Sequence, residues 1–111
     1  MNVVETATGG ALLVEVSGRL DSGSCARLET ALLEHIAGGA RAVVLDITSV
    51  DYVSSAGLRS LIVAARAMEK AGGRLLLAGV REEVRRILEI CDLLRVFPIH
   101  ADAAVALASL G

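Results

Sequence analysis

Two short, nearly unbroken apolar runs bracket a stretch of helical periodicity in the middle of the chain, and this arrangement constrains the fold more than any other feature. Ala42-Val43-Val44-Leu45-Asp46-Ile47 is rich in β-branched residues and reads as a central strand covered on both faces, with Asp46 interrupting it near its end. From Gly57 onward Leu58, Leu61, Ile62, Ala65 and Met68 fall on one helical stripe, which stops near Gly72-Gly73. Arg74-Leu75-Leu76-Leu77-Ala78-Gly79-Val80 is the next strand. Strand, helix and strand in that order make a crossover, and crossovers favour parallel pairing.

The flanking segments extend the same pattern. Ala11 to Val16 reads as a strand, Val3 to Thr6 as a hairpin partner for it, and Gly18 as its end. Asp21, Ser22 and Ser24 are candidate N-caps for a first helix whose apolar positions are Cys25, Leu28, Leu32 and Ile36. A third helix carries Val84, Ile87, Leu88 and Cys91 on one face and solvated charges on the others. A short strand over Val96 to Ile99 and an alanine-rich helix from Asp102, its cap, through Leu107 complete the chain. Glycine pairs at Gly9-Gly10, Gly38-Gly39 and Gly72-Gly73 mark turns, and no stretch resembles a linker. The expectation is one domain over residues 1–111, in the α/β class with α+β mixing. It would have a four- to five-stranded mixed sheet with parallel central strands and about four helices.

Composition narrows the functions. With a formal net charge of −2 and only two aromatic residues, Tyr52 and Phe97, the chain offers neither a basic footprint for a phosphate backbone nor a platform for bases. No nucleic acid is expected as a partner. The N-terminus lacks a basic segment followed by an apolar stretch, and apolar runs are only a few residues long, so the reading is a cytoplasmic protein without membrane insertion. Cys25 and Cys91 sit at apolar helical positions and read as two reduced core thiols; His35 and His100 belong to no ligand cluster. Neither a metal nor a cofactor is expected, and no phosphate-cradling glycine loop is present.

Function becomes arguable in Val50-Asp51-Tyr52-Val53-Ser54-Ser55-Ala56-Gly57-Leu58-Arg59, which joins the central strand to the second helix. Loops at that edge of an open sheet collect sites. For an arbitrary Ser-Ser before a helix, an N-cap role is explanation enough. Here, however, strand, short loop with an aromatic residue, Ser-Ser-Ala-Gly-Leu-Arg and helix together resemble the signature of the STAS family, whose best-known members are bacterial anti-sigma factor antagonists. The family's usual loop is Asp-Ser-Ser-Gly-Leu or Asp-Ser-Thr-Gly-Leu, and the serine after the aspartate is the phosphorylated one. Matching the Gly-Leu pair puts that serine at Ser55, with Ser54 at the aspartate position and Ala56 at the second hydroxyl. The segment Val16-Ser17-Gly18-Arg19-Leu20-Asp21 resembles the family's turn before the first helix, and the remaining elements fall in the family's order.

The resemblance implies a non-enzymatic partner-switching protein. When unphosphorylated it would bind an anti-sigma factor that is also a serine kinase, and phosphorylation on Ser55, with Ser54 the second choice, would release it. A serine phosphatase would reset it, and the free protein would be a monomer. Asp21, Ser54, Ser55, Ala56, Gly57 and Arg59 are the expected partner-binding residues. Gly57 either admits a partner's backbone or meets a steric demand of the turn; Leu58 is read as core, and Arg59 as an exposed contact or a merely solvated arginine. The alternative within the family is an adaptor subunit of a lipid-transport ATPase or of a non-transcriptional signalling pathway. Outside it, Ser55 could act as a nucleophile with His35 or His100 as base and Asp21 or Asp46 orienting it, but no Gly-x-Ser-x-Gly elbow is present.

Overall fold

In a computed structural model, described here for residues 1–110, the elements run β1 (Asn2–Thr8), β2 (Ala11–Leu20), α1 (Cys25–Ala37), β3 (Ala42–Val53), α2 (Ser55–Lys70), β4 (Arg74–Ala78), α3 (Glu82–Ile90), β5 (Ile99–His100) and α4 (Ala103–Leu110). The five strands form one sheet in sequence order. β1 and β2 are an antiparallel hairpin, whereas β2, β3, β4 and β5 pair in parallel. The expected class, strand number and helix number are all met.

The apolar runs are continuous because the central strands are covered twice. Val43, Leu45 and Ile47 of β3, with Leu75 and Leu77 of β4, face a large core under α1, α2 and α3. Val44, Leu76 and Ala78 face the other way, onto Ala106 and its neighbours in α4. Alternation along a strand sends successive side chains to opposite faces, so a run apolar at every position is what two-sided burial requires. Phe97, one of the two aromatics, is fully buried in the larger core.

Four expectations need correction. β2 is not ended by Gly18 but runs through it to Leu20, still paired with β3, because glycine accommodates the positive φ of +97° found there. The central strand does not stop at Ile47 but continues to Val53. β3 advances three residues where β2 advances two, from Asp46 to Ser49, and two where β2 advances one, from Val50 to Tyr52. Each extra residue is a bulge, and bulges break the period-two pattern by which a strand is read from sequence. The strand placed over Val96 to Ile99 is only Ile99–His100, preceded by turns that seat Phe97 in the core. Cys91 is not a core thiol: α3 ends at Ile90, so Cys91 caps the helix and is exposed, while Cys25 is buried and both are free.

Candidate functional site

The last pair between β3 and β4 is Asp46 with Ala78. Beyond it β3 keeps only β2 as a partner, and the two continue together to Leu20 and Val53. This two-stranded extension, seven residues of β3 or roughly 20 Å, carries the start of α2 to the end of the sheet. The connection is minimal: Ser54 alone separates Val53 from the helix.

The two serines are divided by geometry. Ser54 has extended backbone and is the N-cap, its Oγ accepting a hydrogen bond from the Gly57 N–H at 3.1 Å while its carbonyl accepts from the Leu58 N–H at 2.9 Å. Ser55 is the first helical residue, is exposed, and its hydroxyl has no hydrogen-bond partner among the described residues. The cap is therefore Ser54, and the free hydroxyl is Ser55. Replacing Ser54 by alanine is expected to cost about 1 kcal/mol, a fall of about 4 °C in melting temperature by thermal unfolding, with the Ser55 hydroxyl still presented.

Helix α2 has no acidic side chain in its first turn. The Gly57 N–H is taken by the Ser54 side chain, but the Ser55 and Ala56 amides have no hydrogen-bond partner among the described residues, so the position beside Ser55 favours added negative charge. Arg59 lies one turn on from Ser55 along the same exposed face and makes no ion pair among the described residues. Ala56 is half-buried.

Gly57 and Leu58 are buried. A Cβ on Gly57 would stand 2.4 Å from the Leu20 carbonyl oxygen and 2.9 Å from Leu20 Cγ. Of the two explanations for this glycine, the intramolecular steric one is met by the structure: the helix crosses the end of β2 too closely for any side chain. Leu58 fills the core, as expected.

Asp21 is brought to this end through the backbone. Leu20 pairs with Val53, and its carbonyl accepts the Ser54 N–H at 2.9 Å, so the turn that follows Leu20 adjoins the serine pair. The Asp21 carboxylate accepts from the Gly23 N–H at 3.0 Å, and this bond lowers its pKa from the ordinary carboxylate value against the opposing effect of desolvation; Arg19 and Ser24 add to the lowering. Ser24 does not cap α1 through its side chain. Instead its hydroxyl donates to the Arg19 carbonyl at 2.8 Å and accepts from the Asp21 N–H at 3.1 Å, fixing the turn.

Two residues at this end were not assigned from sequence. The Arg19 guanidinium lies 4.2 Å from the centre of the Tyr52 ring and 3.5 Å from the Asp21 carboxylate, and Tyr52 is 42% exposed. The bulge between Val50 and Tyr52 turns the ring outward beside Arg19, its strand neighbour. An aromatic residue alone in a stretch of small polar ones was the available signal. An exposed tyrosine stacked on an arginine offers a rigid contact surface of the kind enriched at interfaces.

The elements of a serine nucleophile site do not assemble. α1 begins at the Ser55 end of the sheet and His35 lies ten residues along it, roughly 15 Å away, its ring hydrogen-bonded to Glu5 of β1. His100 is in β5, two strands from β3, and Asp46 is committed to the Thr48 N–H and hydroxyl at 3.0 and 2.6 Å. No group of three or more metal-ligating side chains exists among the described residues, and no described helix is long and apolar enough to cross a membrane.

Comparison with known proteins agrees with this architecture. The STAS domain model matches residues 2–106. BtrV of Bordetella bronchiseptica, which bears the name of an anti-sigma factor antagonist, is 34% identical over 100 residues, spanning 90% of this chain and 86% of its own. The crystal structure of an anti-sigma factor antagonist from Mycobacterium paratuberculosis superposes with a TM-score of 0.87 at 25% identity, covering 97% of this chain and 92% of that one. The phosphorylated form of the Bacillus cell fate determinant SpoIIAA has the same fold, with a TM-score of 0.80 at 15% identity over 99% of this chain and all of its own. With a hairpin-led parallel sheet, four helices and a family match over nearly its full length, the chain belongs to the STAS domain family.

Proposed function

We propose that this protein is an anti-sigma factor antagonist that works by switching partners, with Ser55 as the phosphorylated residue. The observation that carries the reading is the division between the serines: Ser54 is engaged as the cap, whereas the Ser55 hydroxyl is exposed and unpartnered at the start of a 16-residue helix. The names of its relatives support the antagonist role, and the phosphorylated form of SpoIIAA supports a phosphoprotein mechanism. In this reading an anti-sigma factor with serine kinase activity binds the unphosphorylated surface formed by Ser55, Ala56, Arg59, Asp21 and the Arg19–Tyr52 pair. Transfer of phosphate to Ser55 ejects it, a serine phosphatase restores the surface, and the exchange takes place in the cytoplasm. The protein itself catalyses nothing.

The fold tolerates the modification because a phosphate at a helix N-terminus meets free amides and the positive end of the dipole. The interface does not, since the group adds about −1.5 to −2 charges and three acceptor oxygens at one point. The test is intact-mass and phosphosite mapping after incubation with ATP and the serine kinases of the source genome. Phosphate is expected on Ser55 in the wild type and in Ser54→Ala, and on neither serine in Ser55→Ala. Capture of a membrane ATPase in place of a kinase would instead identify a transport adaptor, and the switching reading would be abandoned.

A further inference from the structure

The hairpin strand β1 forms one border of the sheet, and that border is guarded by a single charged side chain. Its seven residues, Asn2-Val3-Val4-Glu5-Thr6-Ala7-Thr8, contain no proline and no lysine, and they pair with β2 in one unbroken register without a bulge. Natural edge strands are usually blunted by such devices because their free N–H and C=O groups invite another strand. The one charged side chain, Glu5, is paired with His35.

Which groups are free follows from the turn. Thr8 and Ala11 close the two-residue Gly9-Gly10 turn, in which both glycines have positive φ, +56° and +86°. Such turns close on a hydrogen-bonded pair. Alternation along the strand then ties Thr8, Thr6, Val4 and Asn2 to β2, and turns the backbone groups of Val3, Glu5 and Ala7 outward. Side chains alternate too: Val3 packs against the large core, while Val4 stands on the opposite face, 57% exposed.

We propose that β1 is a self-association edge, at which a second copy of the chain adds its own β1 antiparallel with Val4 facing Val4 across a two-fold axis. In that register Val3 of one copy exchanges both main-chain bonds with Glu5 of the other, Asn2 lies opposite Thr6, and the two exposed valines meet as a close non-hydrogen-bonded pair. The neighbouring register, centred on Glu5, would set two carboxylates directly opposite each other, which is unfavourable. Charge thus disfavours the Glu5 register, and the exposed Val4 side chain favours its own register over one centred on Thr6, where two threonines would meet. β1 is two strands from β3, so the dimer leaves both Ser55 surfaces open. An interface built on one seven-residue strand is small, so association is expected at about 0.1–1 mM, with monomer below that range.

Cysteine cross-linking in a Cys91→Ser background reads the register directly. Val4→Cys places two thiols within disulfide reach, whereas Thr6→Cys leaves them roughly 13 Å apart along the strands. Under glutathione oxidation the Val4→Cys dimer is expected to form at least about tenfold faster than the Thr6→Cys dimer. In the wild type, the Val3, Glu5 and Ala7 amide resonances should shift with concentration, and Val4→Lys should sediment as a monomer throughout. Equal cross-linking rates, a wild type still monomeric near 1 mM, or concentration-dependent shifts confined to another surface would each overturn the proposal.

Discussion

Gly57→Ala is expected to lower the stability of this protein by about 3 kcal/mol or more, although helix propensity alone predicts the opposite sign. In an exposed helix interior the same exchange gains close to 1 kcal/mol, because alanine loses less backbone entropy than glycine. Here the new methyl carbon would stand 2.4 Å from the Leu20 carbonyl oxygen, far inside contact distance. The clash has no cheap relief. That carbonyl accepts the Ser54 N–H, and Leu20 is fully buried, so separating the two elements would loosen the hydrogen bond and open the core together. A fall of about 12 °C in melting temperature is the expected readout by calorimetry. A variant that melts within a degree or two of the wild type would mean that α2 can slide off β2 at little cost, and that the Ser55 surface is not rigidly placed.

The same residue marks how far the sequence could be read. The apolar stripe from Gly57 onward placed the start of α2 to within two residues, because it is a local signal, whereas the choice of Ser55 rested on the resemblance of the Gly-Leu pair to the family's loop. Whether Gly57 served a partner or the turn was not legible, since its obstacle is the Leu20 carbonyl, 37 residues away along the chain. The continuation of β3 through Val53 was hidden for a related reason: two bulges shift the inward positions to Val50 and Val53, and strict alternation fails. Cys91 fitted the helical stripe by spacing, but α3 ends one residue before it and its thiol turns to solvent. The doubly covered stretches of β3 and β4 were legible, because being covered on both faces leaves no position where a polar residue is tolerated, and Val43 to Leu45 and Leu75 to Ala78 contain none.

Ser55→Glu is expected to weaken binding of the anti-sigma partner by about 100-fold or more, or about 2.7 kcal/mol, while leaving the fold intact. The two halves of this expectation rest on the same position. Within the chain, a carboxylate at the first residue of α2 meets free amides and no acidic neighbour in that turn, an arrangement that contributes about 0.3–1 kcal/mol in favour of the helix. Arg59, one turn further on the same face, can pair with it. The melting temperature should therefore stay level or rise by a few degrees. In the complex, the carboxylate is desolvated against a surface shaped for a hydroxyl, and an unmatched buried charge costs about 2–5 kcal/mol. Ser55→Ala should bind like the wild type yet resist ATP-dependent release, and Tyr52→Ala should weaken both, since it removes contact area common to every state. Calorimetric titration against the captured partner separates these outcomes. Wild-type affinity in Ser55→Glu would place the contact surface elsewhere on the domain and leave Ser55 a solvent-exposed helix residue with no part in the switch.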